Sequence, residues 1–183
     1  MAHADFDLKA LYDALDEQRR ARQLSWAAAA REINRFHTEG HPIAISTITG
    51  LNNKAVGEGD GILQMLLWLR RTPESFVPGF EDADAERFRL RELGKEQILR
   101  WDTRALHAAL NAQRQARGMT WKEVAQEVGG FTPNMLTDLA KGGRTGFPGV
   151  MRIVGWLGQP AATFTRAADR KILTAQPTLQ EVR

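Results

Sequence analysis

Residues 101–128, WDTRALHAALNAQRQARGMTWKEVAQEV, repeat a stretch that has already occurred at residues 6–33, FDLKALYDALDEQRRARQLSWAAAAREI. The offset is 95 residues, and 12 of the 28 positions are identical. Beyond this block the offset changes to 88, and Trp68 then matches Trp156. The first copy therefore carries seven extra residues, between Asn34 and Ile45, in a segment with the Gly and Pro of a loop. Duplication of such a long stretch predicts two similar domains.

The apolar residues of each copy predict helices. Leu8, Leu11 and Leu15 have the spacing of one face of a helix, and their matches in the second copy keep it. Ser25 and Thr120 each precede a run of helix formers and are good N-caps. No segment shows the alternation of a strand, so we expect an all-α protein in which each copy is a bundle of about five helices.

The chain divides into four predicted segments, 1–80, 81–100, 101–166 and 167–183. The first and third are the two repeated domains, the second is a charged helical connector, and the fourth is a tail. The formal net charge is −1 over residues 1–80, −1 over residues 81–100 and +5 over residues 101–183. The C-terminal half therefore carries the positive field that a polyanionic partner would meet.

Several classes of function are not supported by the composition. The chain has no cysteine, and no stretch is long and apolar enough to span a membrane. His37 and His41 have the spacing of a metal pair without an obvious third ligand, and the glycine run at 57, 59 and 61 lacks the preceding strand of a phosphate loop. We therefore expect a cytoplasmic protein with no enzymatic activity, no cofactor, no metal and no membrane partner.

The second copy contains a motif in MTWKEVAQEVGGFTPNMLTDLAKGG, residues 119–143. A small Ala125, a turn at Gly129, apolar Leu136 and Leu139 and a terminal Gly142 resemble the lambda-repressor-like (Cro/XRE) helix-turn-helix family. The resemblance covers most of both copies but neither the connector nor the tail. It implies two tandem helix-turn-helix bundles of this kind, joined by the connector.

The resemblance also implies that residues 132–141 form a recognition helix, which lies in the major groove of DNA. Its outward residues are then Thr132, Pro133, Asn134, Thr137, Asp138 and Lys141. Asn134 can bond adenine through both the oxygen and the nitrogen of its side-chain amide, and Thr137 can meet a base edge or a thymine methyl. Lys141 and Arg144 suit phosphates. Trp121 stands where the family usually has Gln; its indole N–H can donate to a phosphate, or its ring can pack in the core.

The first copy departs further from the family pattern. The corresponding helix is residues 45–53, and it contains Gly50 after a longer turn. The outward residues that the resemblance implies there are Ser46, Thr47, Thr49, Asn52 and Asn53, with Lys54 beyond the helix. Two other basic pairs, Arg19 with Arg22 and Arg114 with Arg117, end the first helix of each copy. They either complement the helix dipole or contact phosphate.

The sequence-based hypothesis is a nucleoid-associated, sequence-specific regulator of transcription that binds double-stranded DNA and acts as a repressor, the commoner outcome in this family. Two fused copies could act as a built-in pseudo-dimer that reads two unlike half-sites. The alternative is a protein-interaction or scaffold module made from reused helix-turn-helix bundles, in which the first domain binds another protein or a second copy of the chain. An exposed apolar patch around Ile43 and Ile45 would favour this alternative.

Overall fold

A computed structural model describes residues 5–36, 42–53, 57, 59–81, 85–94, 97–142 and 145–169. This part of the chain contains eight α-helices and one two-stranded sheet. The helices are α1 (Leu8–Ala21), α2 (Trp26–Ile33), α3 (Ile45–Thr49), α4 (Gly59–Leu69), α5 (Thr103–Ala116), α6 (Trp121–Val128), α7 (Pro133–Asp138) and α8 (Phe147–Leu157). Short 3-10 helices cover Asn34–Phe36, Gly50–Asn53, Glu74–Phe76, Ala85–Phe88, Leu139–Lys141 and Ala161–Phe164.

The two copies contain equivalent helices at the offsets found in the sequence. Both α1 and α5, and likewise α2 and α6, begin and end 95 residues apart, whereas α4 and α8 are 88 residues apart. The predicted caps form as expected, because Ser25 accepts the N–H of Ala28 and Thr120 accepts the N–H of Glu123. The prediction of a mostly helical protein is therefore confirmed.

In each copy, one backbone hydrogen bond joins the N-cap of the first long helix to the last 3-10 helix. The backbone N–H of Asp7, the N-cap of α1, donates to the carbonyl of Phe76 at 2.8 Å. The N–H of Asp102, the N-cap of α5, donates to the carbonyl of Phe164 at 2.7 Å. The last 3-10 helix of each copy is thus attached to the start of its first long helix.

The prediction that the protein lacks strands was wrong. Strand β1 (Gln97–Trp101) pairs antiparallel with β2 (Thr165–Asp169), with Trp101 opposite Thr165. Ile98 and Leu99 of β1 are fully buried, so the strand is held by burial on both faces as well as by its partner. The predicted boundaries at Arg100 and Arg166 therefore cut through a strand pair that joins the start and end of the second copy.

The prediction of a helical connector was also wrong. Within the described residues 85–94 and 97–100, only the 3-10 turn Ala85–Phe88 is helical, and the segment ends in β1. Phe88 packs edge-on against Phe80, with 4.9 Å between ring centroids, and Leu90 is buried. These apolar side chains attach the connector to the body of the protein. The part of the predicted tail from 170 to 183 lies outside the described residues.

The two copies share one hydrophobic core. Phe147 at the start of α8 is fully buried, and its ring lies 4.6 Å from that of Phe6 and 5.3 Å from that of Trp101. Phe6 and Trp101 are themselves equivalent at the offset of 95. The equivalent of Phe147 in the first copy is Gly59, where a Cβ would lie 2.9 Å from Cδ1 of Trp101. One large and one minimal side chain therefore occupy equivalent positions where the copies meet.

Hydrogen bonds reinforce this junction. Gln64 of α4 is fully buried, and its side-chain amide donates to the carbonyl of Leu99 at 2.7 Å. The carboxylate of buried Glu74 accepts the backbone N–H of Ala161 at 2.6 Å. Because buried polar groups are costly when unpaired, these bonds fix the relative position of the two copies.

Candidate nucleic-acid interface

Helix α7 is short and is held by its ends and by one buried face. The side chain of Thr132 caps it by accepting the N–H of Met135 at 3.2 Å, and Pro133 occupies the first turn. Leu136 and Leu139 are buried on the inner side, at 0% and 4% exposure. Thr132 and Pro133 therefore define the start of the helix, and the buried side fixes which side chains point outward.

The outward face of α7 is open to solvent. The side chains predicted to contact DNA are exposed, except that Thr137 is half-buried; the exposed ones are Thr132, Pro133, Asn134, Asp138 and Lys141. The hydroxyl of Thr137 donates to the backbone carbonyl of Asn134 at 3.0 Å, and the side chain of Asn134 is exposed. Met135 is 50% exposed on the same short helix, and the sequence analysis did not single it out.

One ion pair lies within this face. Lys141 Nζ lies 2.5 Å from Asp138 Oδ1, and both side chains are largely exposed. An exposed pair of this kind contributes little to stability and exchanges readily with another anion. Arg144, which was predicted to accompany Lys141 at phosphates, lies outside the described residues.

Two further arginines lie beside the end of α7, and the sequence analysis missed both of them. Arg104 of α5 and Arg166 of β2 are exposed and line a cleft of about 430 Å³ that also includes Gly142. A Cβ on Gly142, which has a φ of 78°, would lie 3.1 Å from Nε of Arg104. In the sequence, the one indication for Arg104 is that a basic residue, Lys9, stands at the equivalent position of the first copy. Nothing in the sequence indicates that Arg166 lies beside Arg104.

The side chain of Trp121, the first residue of α6, packs against side chains of its own copy. Its ring is half-buried and stacks on His107 at 5.3 Å, with the guanidinium of Arg114 5.1 Å from the ring centroid. The first copy repeats the arrangement with Trp26, Tyr12 and Arg19. This packing accounts for the identity of the tryptophan in both copies.

The arginines at the end of the first helix of each copy have structural partners. In the second copy Arg117 Nη1 lies 2.8 Å from Glu127 Oε2, and the indole N–H of Trp156 donates to the same oxygen at 2.8 Å. In the first copy Arg22 and Trp68 make equivalent contacts with Glu32. We call each of these an Arg-Glu-Trp triad. It links three helices of one copy and explains why these residues match.

The triads make stability depend on pH. Hydrogen bonds from Arg117 and then from Trp156 lower the pKa of Glu127, and bonds from Trp68 and then Arg22 lower that of Glu32. The stabilisation is complete above the ordinary glutamate pKa of about 4.3 and is lost as pH falls through the lowered folded-state pKa.

We expect Glu127→Gln to flatten the loss of stability below that pH, because the variant has no carboxylate to protonate. Urea unfolding followed across an acidic pH series measures this slope. Glu92→Gln, at an exposed position in the connector, is the control and should unfold like the wild type at each pH. An acid slope that Glu127→Gln leaves unchanged would contradict the role of the triad.

The first copy presents a weaker version of the α7 face. Helix α3 begins after Ala44, which provides no side-chain cap, and it lasts five residues. Three of the predicted outward residues are exposed, namely Ser46, Asn52 and Asn53. The other two, Thr47 and Thr49, are half-buried. Lys54 lies outside the described residues. The absence of a capping side chain follows from Ala44, which stands where the second copy has Thr132.

Other chemistry finds little support among the described residues. No group of three His, Cys, Asp or Glu side chains there is arranged to hold a metal, and His37 and His41 lie outside them. Gly59 begins α4, and Gly61 packs beside Ile43, so these two glycines are part of a helix rather than a loop. No described helix is both long and apolar enough to cross a membrane.

Comparisons with known proteins do not assign a family. A scan against protein-family models, a search of curated proteins and a search of solved structures each found no match. The function is therefore inferred from the geometry of α7 and its surroundings.

Proposed function

We propose that this protein is a sequence-specific double-stranded DNA-binding regulator of transcription built from two tandem lambda-repressor-like helix-turn-helix bundles. Helix α6, the turn at Gly129 and α7 form the main reading unit, and α7 is the recognition helix. The observation that carries the proposal is the outward face of α7, which is exposed while Leu136 and Leu139 anchor the opposite side. A helix held in this way can enter a major groove without unfolding.

The chemistry of the outward face suits base reading. An exposed Asn amide offers one donor and one acceptor in the geometry of the adenine edge. Exposed Met135 adds an apolar group that can contact a thymine methyl. Recognition through Asn134 and Met135 would make A·T pairs the preferred partners of the N-terminal part of α7.

Basic residues around α7 suit the phosphate backbone. Lys141, Arg104 and Arg166 are exposed near its C-terminal end, within a half of the chain whose net charge is +5. Asp138 would repel phosphate by itself, but in the free protein it is paired with Lys141. On the proposed complex Lys141 exchanges this carboxylate for a phosphate, and Asp138 is left near the base edges, where it can accept from cytosine.

The shared core fixes the position of α3 relative to α7. Because Phe147 and Gln64 join the copies through buried contacts, α3 and α7 are held in a fixed relation. We expect the chain to read two unlike half-sites at a fixed spacing, with α7 providing most of the affinity. Binding of this kind represses transcription when the site overlaps a promoter.

The alternative of a protein-docking module receives less support. That hypothesis calls for an apolar patch around Ile43 and Ile45. Ile45 is 42% exposed, but Ile43 is only 8% exposed and belongs to the core. A single exposed isoleucine is ordinary for a protein surface, so the observations favour DNA.

The phosphate contacts predict a change in salt dependence. The double variant Lys141→Ala/Arg104→Ala should bind all DNA sequences more weakly, and the slope of log K against log salt should fall by about 0.9 for each lost phosphate contact. Fluorescence anisotropy with a labelled duplex over a KCl series measures the slope. The control, Arg87→Ala, changes an exposed arginine in the connector and should leave the slope unchanged. If the double variant keeps the wild-type slope, these side chains do not contact phosphate.

A further inference from the structure

The first copy contains a basic groove that is separate from the proposed DNA surface. We call it the arginine groove; it has a volume of about 470 Å³. Its lining includes three arginines and one glutamate, with apolar walls from the end of α4; these residues are Arg22, Arg35, Arg70, Glu32, Leu67 and Trp68. The lining has a formal surplus of two positive charges, although residues 1–80 as a whole have a net charge of −1.

The three guanidinium groups differ in how closely they are bound by neighbouring side chains. Arg22 belongs to the Arg-Glu-Trp triad, where it lies 2.7 Å from Glu32 and over the Trp68 ring. Arg35 and Arg70 are exposed, and neither forms a direct ion pair with another described residue, although Arg35 lies near enough to Glu32 for its charge to help lower the pKa of that carboxyl. Two guanidinium groups beside one groove can therefore turn their donors to a ligand.

Comparison of the two copies argues against a merely structural role for these two arginines. The second copy has the same triad but has glycine at the positions equivalent to the two arginines. Gly130, two residues after α6, is equivalent to Arg35, two residues after α2. Gly158, directly after α8, is equivalent to Arg70, directly after α4. Arg70 has a φ of 55° and Gly158 a φ of 64°. This left-handed conformation favours glycine and strains a residue with a side chain. The first copy thus retains arginine at a position where glycine would satisfy the backbone better.

We propose that the arginine groove binds a small organic phosphate. Guanidinium groups match the oxygens of a phosphate monoester through paired hydrogen bonds, and a phosphate dianion balances the surplus of two charges. Leu67 and the edge of Trp68 provide an apolar surface for the organic part of the ligand. The volume lies within the usual range of small-molecule sites, about 300–1,000 Å³.

The position of the groove favours a small ligand over the DNA backbone. Its arginines follow the C-terminal ends of α1, α2 and α4. The proposed DNA surface instead uses the outward face of α7 with Lys141, Arg104 and Arg166, and none of these residues lines the groove. A ligand in the groove would bind without occupying the DNA surface, so this inference goes beyond the proposed function and does not depend on it.

Isothermal titration calorimetry of the full chain without DNA tests the proposal. Ribose 5-phosphate is the main probe, and inorganic phosphate and uncharged ribose are the comparisons. We expect saturable binding of ribose 5-phosphate with one site per chain, weaker binding of inorganic phosphate and no binding of ribose. The variant Arg35→Ala/Arg70→Gly should bind ribose 5-phosphate at least about tenfold more weakly, since each lost charged hydrogen bond is worth roughly that factor.

Controls separate the loss of binding from loss of folding. Arg70→Gly introduces the residue that the second copy uses, so the thermal midpoint should stay equal or rise, and Arg35→Ala alone should already weaken binding. Arg91→Ala, an exposed connector arginine, should bind as the wild type does. Equal binding of ribose and ribose 5-phosphate, no saturable binding at millimolar concentration, or unchanged affinity in the double variant would overturn the proposal. So would a double variant that loses affinity for DNA while the wild type fails to bind ribose 5-phosphate.

Discussion

Replacing Phe147 by alanine is expected to destabilise the protein by about 3–5 kcal/mol. The ring is fully buried and lies between Phe6 of the first copy and Trp101 of the second copy. Gly59, at the equivalent position of the first copy, has no side chain that could fill the resulting cavity. The substitution therefore removes both the buried ring and a contact that joins the two copies.

Equilibrium unfolding in urea, followed by tryptophan fluorescence and by circular dichroism, measures this effect. Phe80→Ala is the matched control, because Phe80 is only half-buried and packs on the connector; its effect should be clearly smaller. The wild type should unfold in one transition that both signals report, as expected for a shared core. Two separate wild-type transitions, or a Phe147→Ala variant as stable as the control, would show that the copies fold independently.

Replacing Asn134 by alanine is expected to weaken binding to the preferred DNA site by about 1–3 kcal/mol, the value of one bidentate base contact. The side chain is exposed, so its removal should leave the free energy of unfolding nearly unchanged. Affinity for unrelated DNA should also stay the same, because phosphate contacts carry nonspecific binding. The variant thus loses specificity without losing the fold.

Anisotropy titrations with a preferred duplex and an unrelated duplex, at the same salt concentration, measure the two affinities. Gln115→Ala removes an exposed amide from α5, away from the α7 face, and should match the wild type on both duplexes. Equal weakening on both duplexes would assign Asn134 to the phosphate backbone instead of a base.

Much of the helical framework could be predicted, because its determinants are local. The apolar spacing of Leu8, Leu11 and Leu15 and the caps at Ser25 and Thr120 act within a few residues of the helices that they define. The repeat added independent support, since α5 and α6 begin and end where the offset of 95 places them. The same locality explains why the outward face of α7 could be inferred from its sequence.

The sheet and the shared core could not be predicted, because their partners are distant in the chain. The residues of β1, QILRW, pair with TRAAD at the far end of the second copy, and neither run alternates clearly. Phe147 gave no sign that it would contact Phe6, since the repeat predicts two similar domains and does not indicate which of their residues meet. Phe147 and Gly59 are equivalent positions with different side chains. This difference is explained only by the structure, in which both positions lie where the two copies meet.

The most direct test of the central claim is selection of bound duplexes from a random DNA pool by the full chain and by its Asn134→Ala/Thr137→Ala variant. If α7 reads bases, the wild type will enrich one motif, and the variant will lose sequence preference at a few contiguous positions while keeping the remainder. A wild-type protein that enriches nothing over the starting pool, or a variant that enriches the unchanged motif, would contradict the account.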